Sequence, residues 1–304
     1  MLRAASAAPA PPPSYSRQGM TRYRLVGAAA LAIVATGCAA APGEPPKTVL
    51  AWAPEPTKAV RNLILPYDHY QLSVNEIYLI ESAQDLLTRD CMKKRGYDWE
   101  VIGDRKRYAD LRNRRRYGVI EMPVARQMGY RANDRLLGST DVTVQKMDRE
   151  KRLSPEARGA ALDPADGCDK LSYLQLAKGN QEDENLVNNL NHRSLQDAYK
   201  SPRVVSVMRN WSRCMAEKGY RYKDVNAVDS DPRWAKGRRP SAAEKRAAVA
   251  DVSCKERFGL VKVLSDTERA IQERGIRQHK TYFERLASAK ERYLAAARAV
   301  LRRH

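Results

Sequence analysis

Apolar residues in this chain recur mostly at three- and four-residue steps, the mark of helices that bury one face. The clearest run is Ile77, Ile80, Leu87 and Cys91, closing at Gly96. Ser73 is a good N-cap for it, Glu76 completes a capping box, and Leu72 with Ile77 makes a hydrophobic staple. A second run, Val204, Met208, Trp211 and Met215, opens behind Ser201 with Pro202 in the first helical position and closes at Gly219. Shorter helices are predicted over Pro123–Gln127 (ended by Gly129), Pro155–Leu162 behind Ser154, Cys168–Ala177 and Asp183–Tyr199. From Ser241, capped with Glu244, helical pattern persists to the C-terminus through Leu260, Leu264, Leu286 and Val300. Gly259 and Gly275 interrupt it, so this stretch reads as one long bent helix or two. No strand alternation is evident. The fold class predicted is mainly α: an irregular multi-helix body with two disulfide-stapled helix-ending motifs and a long C-terminal helix.

Both main runs end on the same residues. CMKKRGYDW, Cys91 to Trp99, returns as CMAEKGYRY, Cys214 to Tyr222. With Gly96 as the left-handed residue after the helix, Arg95 is the C-cap and Met92 falls three positions inside it. A Schellman ending then brings Met92 against Tyr97, and Met215 against Tyr220 around Gly219. Basic residues at both C-caps suit the negative end of the helix dipole. The repeat reads as architecture, and Cys91 and Cys214 lie where a disulfide can pin a helix end.

The segment from Met20 bears on location. MTRYRLVGAAALAIVATGCAA has two arginines, Arg22 and Arg24, then thirteen uncharged residues from Leu25 to Gly37. Those are the parts of a secretory signal peptide. At 1.5 Å per residue the apolar part would cover about 20 Å of a ~30 Å hydrocarbon core, so an uncleaved spanning anchor is the weaker reading beside cleavage. Its end, Ala35-Thr36-Gly37-Cys38, resembles the lipobox of bacterial lipoproteins, in which the cysteine becomes the lipidated first residue. The expectation is a lipid-anchored protein on the outer face of the cell membrane, with secretion as the alternative. Residues 1–19 make a poor signal start, so translation is expected to begin at Met20. The organisation expected is an artefactual or non-translated 1–19, a signal peptide at 20–37, and a lipidated Cys38 with a Pro-rich tether over 38–62. A first helical half over 63–200 and a second over 201–304 follow.

Setting Cys38 aside leaves Cys91, Cys168, Cys214 and Cys254. An even number in an exported chain is the pattern of two disulfides. Four cysteines allow three connectivities; Cys91–Cys168 and Cys214–Cys254 are favoured, because one partnerless cysteine follows each copy of the repeat. No CxxC, zinc-finger spacing or haem motif occurs, so neither metal nor cofactor is expected. The oxygen-rich loop at Asp224, Asn226, Asp229 and Asp231 lacks the glycine and distal glutamate of an EF-hand and reads as turn chemistry.

Charge adds a question about partners. The formal net charge is +19, and about +15 remains once residues 1–37, with four arginines and no acid, are removed. The basic run holds Arg105, Lys106, Arg107, Arg112, Arg114, Arg115 and Arg116, with Tyr108 and Tyr117 at its middle and end. In a cytosolic protein it would suggest nucleic acid. On an exported one it is a solvated face or a polyanion-binding surface, and nucleic acid is not the expected partner. The partners expected are the membrane through the lipid anchor and an anionic wall polymer or an envelope protein; the sequence leaves the oligomeric state open.

No GxSxG, HExxH or phosphate loop is present, and no acid pair stands out as general acid and base, so no catalytic residue is nominated and the expectation is not an enzyme. The ordered elements LPYDHY, DCMKKRGYDW, RRYGV, Gly167-Cys168, SPRVVSVMRNWSRCMAEKGY, Arg233-Trp234, Pro240-Ser241 and VADVSCKERFGLV resemble secreted proteins and lipoproteins of actinobacteria. The resemblance covers nearly all of 65–302. It implies export, a helical body and disulfides, and it supplies no catalytic residues. The function expected is binding or interaction at the cell envelope; the alternatives are a cell-wall-acting enzyme and a transporter's solute-binding lipoprotein.

Overall fold

The computed structural model describes residues 53–103, 108–131, 141–236 and 239–304. Cys38 and the signal-like segment lie outside them, as do Arg105, Lys106 and Arg107. Among the described residues every regular element is helical. A short α1 (Lys58–Arg61) and a 3-10 turn (Pro66–Tyr70) lead into α2 (Val74–Lys94). Beyond the arginine run come α3 (Met122–Met128), α4 (Asp141–Arg152), α5 (Pro155–Leu162) and α6 (Cys168–Ala177). Ser201 joins α7 (Asn185–Lys200) to α8 (Pro202–Glu217), ending one and opening the other. After α9 (Val225–Asp229) and a 3-10 turn (Pro232–Ala235) come α10 (Ala242–Arg257), α11 (Leu260–Gln278) and α12 (Lys280–Arg303).

Local chemistry sets most of these boundaries. At α2, Glu76 N–H donates to Ser73 Oγ at 3.3 Å and Ser73 N–H donates to the Glu76 carboxylate at 2.6 Å. Ser241 and Glu244 repeat the box at α10. The oxygen-rich loop is indeed turn chemistry: Asp224 caps α9 through Ala227 N–H, and Asp231 caps the next turn through Arg233 N–H. The C-terminal stretch breaks at Gly259, where φ is 60°, and at His279 between α11 and α12. Gly275 has a different role from the expected break. It is buried inside α11, where a Cβ would lie 2.0 Å from Tyr67 Oη, so only glycine lets the Tyr67 turn approach. Ile77 also departs from expectation. It is 40% exposed, because the covered face of α2 starts at Ile80 and continues through Ala83, Thr88 and Met92.

The two halves of the chain interleave. α2 packs against both α12 and α6, and Ile80, Ala83, Leu176, Leu294, Ala297 and Val300 fill that seam. A larger core surrounds Trp211 of α8 and takes side chains from α3, α10 and α11. So α12 comes from the second half to cover α2, while Tyr117–Tyr130 come from the first half to cover the second motif. No border falls at 200/201; the described residues belong to one compact unit, Val49–His304. The expected tether is shorter too. Glu121 accepts from Thr57 N–H at 2.7 Å, Arg114 donates to Pro54 O at 2.6 Å, and Val60 is buried, so docked structure begins before Leu63.

The repeated motif closes both helices as its residue types dictate. Tyr97 N–H donates to Met92 O at 3.0 Å and Gly96 N–H to Lys93 O at 3.1 Å, with φ of Gly96 at 82°. In the second copy Tyr220 N–H donates to Met215 O at 2.9 Å and Gly219 N–H to Ala216 O at 3.0 Å, with φ of Gly219 at 84°. These are the paired bonds of the Schellman ending. Disulfides join Cys91 to Cys168 and Cys214 to Cys254, with Cα–Cα distances of 5.6 and 5.8 Å. Cystines of this kind belong to oxidising compartments. No helix among the described residues is long and apolar enough to cross a membrane.

Each motif also leans on a buried carboxylate. Trp99 Nε1–H donates to Asp85 at 2.8 Å, and Arg149 pairs with Asp85 at 2.7 Å while its guanidinium lies 3.8 Å from the Trp99 ring centre. Beside the second copy, one turn earlier on α8, Trp211 Nε1–H donates to Asp251 at 2.9 Å and Lys255 pairs with the same carboxylate at 2.9 Å. Desolvation pushes the Asp251 carboxyl up, with Lys255 acting against it.

Candidate functional site

The structure turns the described members of the arginine run, expected as a solvated face or a polyanion surface, inward. Arg112 is held by Asp110 at 2.7 Å and donates to Leu72 O. Arg114 is buried on Glu121, and Arg115 reaches Asp229 at 2.6 Å. Arg116 grips Glu268, a carboxylate that also accepts from Tyr117 Oη at 2.8 Å and Ser194 Oγ at 2.8 Å. Each charge is matched by a carboxylate because a guanidinium cannot shed its proton on burial. Arg112, Arg114, Arg115 and Arg116 therefore tie separate parts of the fold together and do not form an outward basic face.

Uncompensated cations stand elsewhere, on the outer side of α8. Its inward stripe is Val204, Met208, Trp211 and Met215. One position round the helix, Val205, Arg209, Ser212, Arg213 and Ala216 line a groove of about 650 Å³, closed by Tyr199 and by the Lys223–Asn226 segment. That size falls in the usual ligand-pocket range of roughly 300–1,000 Å³. The far wall is fixed to α8 by a Ser212 Oγ–H bond to Tyr222 O at 2.5 Å. Tyr222 itself is anchored by Asp231 at 2.6 Å, and burial followed by that bond pushes its hydroxyl up to about 12.

The electrostatics of the groove are lopsided. Arg213 donates only to Asn210 Oδ1 at 3.1 Å, and among the described residues neither Arg209 nor Arg213 has a carboxylate in ion-pair contact. Glu217, one turn beyond Arg213, lies 3.9 Å from Arg257 instead. Asp224 is the one acid of the lining; it is tied up as the α9 cap and sits 4.0 Å from Lys223. At the edge of the groove the Tyr199 hydroxyl is shut from solvent without a hydrogen-bond partner, and burial, then the Glu268 charge, pushes its pKa up. The arrangement suits a ligand with an apolar body and an anionic group.

A smaller cavity of about 240 Å³ gathers carboxylates, the arrangement that would favour catalysis. Asp68, Glu76 and Asp110 all line it, beside His69, Arg112 and Lys290. Each acid already has structural partners. Asp68 accepts from Leu65 N–H and from Asn113, Glu76 caps α2 and meets Lys290 at 3.0 Å, and Asp110 holds Arg112. Burial alone would raise the Glu76 carboxyl, but the Ser73 bonds and Lys290 outweigh it and hold it below its ordinary value. These acids are arranged as acceptors and counter-ions. Among the described residues no group of three or more potential ligands is placed to hold a metal ion.

Sequence reasoning missed Arg209, Arg213 and Lys223. The signal was present in the i, i+4 spacing of Arg209 and Arg213, one position from the apolar stripe and with no acid within a turn of Arg209. It was outweighed by the denser run at 105–116. Comparison of the chain with protein-family models, curated proteins and solved structures finds no match in any of the three.

Proposed function

We propose that the protein is an extracytoplasmic lipoprotein, held at the outer face of the cell membrane through Cys38, that binds an anionic, partly apolar envelope ligand in the α8 groove. The lipobox-like end of the signal segment supports the anchor, and the two cystines are compatible with an exported life. The observation that carries the binding reading is Arg209 and Arg213 standing over Val205, Met208 and Ala216 with no ion-pair carboxylate among the described residues. A lipid or wall-polymer phosphate would supply the missing charge, and an acyl or similar group would cover the apolar floor.

The test is calorimetric titration with dihexanoylphosphatidylglycerol, and with its phosphatidylcholine counterpart as the zwitterionic control. The anionic lipid should bind more tightly, and added salt should weaken it. R209E/R213E should reduce affinity about tenfold or more, while the far-UV spectrum stays unchanged because both side chains face solvent. Equal binding by the variant would reject the groove. The anchor is tested separately: C38S should move the protein from the membrane fraction to the medium, and unchanged fractionation would count against lipidation.

A further inference from the structure

The two disulfides differ in access from solvent and in the helix end that holds the departing sulfur. Cys91 lines an open cleft of about 610 Å³ between the end of α2, α6 and the chain terminus, whose lining includes Asp90, Lys94, Arg95, Arg303 and His304. Its partner Cys168 is fully buried. By contrast Cys214 is 3% exposed and Cys254 0%, and both belong to the core around Trp211. An attacking thiolate can therefore reach the first cystine from solvent, while the second is sealed.

The charges around the cleft favour an anionic attacker. Arg95 donates to the carbonyls of Ala160 and Asp166 at 3.2 and 2.8 Å, and Arg303 donates to Ala299 O. Among the described residues Lys94 makes no ion pair. The acid of the lining, Asp90, is engaged by Arg89 at 2.9 Å and by His304 at 3.3 Å.

The leaving side is equally asymmetric. Cys168 is the first residue of α6, a ten-residue helix whose N-cap, Gly167, provides no side-chain cap. That position puts Cys168 at the positive end of the helix dipole, which favours a thiolate there. Asp169, next in the chain, is held by Gln84 at 2.8 Å. Cys214 and Cys254 instead lie in the last turns of α8 and α10, at negative helix ends, where a thiolate is disfavoured. Exchange runs faster when the departing thiol has the lower pKa.

We propose that Cys91–Cys168 is an exchange-competent disulfide, opened by a dithiol reductant that attacks Cys91 from the cleft. A thiolate of the dithiol bonds to Cys91 Sγ, the S–S bond breaks, and its electron pair leaves on Cys168 Sγ as thiolate. The second thiol of the dithiol, its proton passing through water to the Cys168 thiolate, then displaces Cys91, which departs as thiolate and takes a proton from water. The protein gains two electrons and two thiols; the dithiol leaves as its own disulfide. Opening releases a link across 77 residues between the end of α2 and the start of α6, while the second staple keeps the Trp211 core closed.

The experiment treats the full chain with dithiothreitol under native conditions. Timed samples are acid-quenched, then denatured, alkylated and mapped by mass spectrometry. Cys91 and Cys168 should become labelled about tenfold or more faster than Cys214 and Cys254. Equal rates, or earlier opening of Cys214–Cys254, would overturn the proposal, since both would mean that reduction follows general unfolding. A second measurement isolates the cleft: mercaptoethanesulfonate should open Cys91–Cys168 faster than cysteamine does at equal thiolate concentration, and K94E/R303E should erase that preference. Faster opening by cysteamine in the unmodified chain would also overturn it.

Discussion

The ends of α2 and α8 close with the same two backbone bonds, around the same Met, Gly and Tyr, and each is pinned by a cystine. Their surroundings differ. The first is wrapped by α5 and α6 and borders an open, cationic cleft; the second lies inside the core that joins α3, α8, α10 and α11. The buried acids differ in the same sense. Beyond Asp85, Arg149 keeps Glu100 O at 2.8 Å and the Trp99 face, whereas beyond Asp251, Lys255 keeps Val119 O at 2.8 Å. A helix-ending motif thus fixes a local shape, and its neighbours decide whether that shape is a sealed joint or an accessible one.

The largest effect should come from breaking the two ion pairs in parallel. D251N leaves a buried ammonium with one carbonyl, and should lose about 3–5 kcal/mol in chemical denaturation. D85N should lose clearly less, because Arg149 keeps its carbonyl and its aromatic contact. Equal losses would mean that the surroundings of the two motifs matter less than the comparison holds.

A smaller effect separates the caps from their surroundings. A Cβ at Gly96 or Gly219 meets nothing within 4 Å, so substitution there acts on the backbone alone. G96A and G219A should each cost about 1–2 kcal/mol, the left-handed penalty of an L-residue, and the two values should agree closely. A large difference between them would show that the two endings are not equivalent.

The caps, both helix-ending motifs and the cystine pairing were legible in the chain because each depends on residues a few positions apart, or on counting cysteines. Ser73 with Glu76, and Gly96 with Tyr97, carry their own geometry. The fate of Arg116 was not legible, since its carboxylate is Glu268, 152 residues away, and no local pattern announces that pairing. The same holds for Arg115 with Asp229 and for Tyr67 against Gly275. Composition showed many cations; only the fold shows which of them are already matched. The groove on α8 was hidden for the same reason, because Lys223 and Tyr199 reach it from separate elements. The tether was drawn too long because prolines mark an extended chain without saying that Arg114 and Glu121 will hold its end.

The Cys-Met-Gly-Tyr repeat is a pair of clamped helix ends and not a reactive thiol site at rest. Peptide mapping of the denatured, unreduced protein, with alkylation of any free thiol, tests it most directly. Linked peptides should join Cys91 to Cys168 and Cys214 to Cys254, with none of these four cysteines alkylated. Stoichiometric alkylation at Cys91 or Cys214, or a peptide linking those two cysteines to each other, would contradict it.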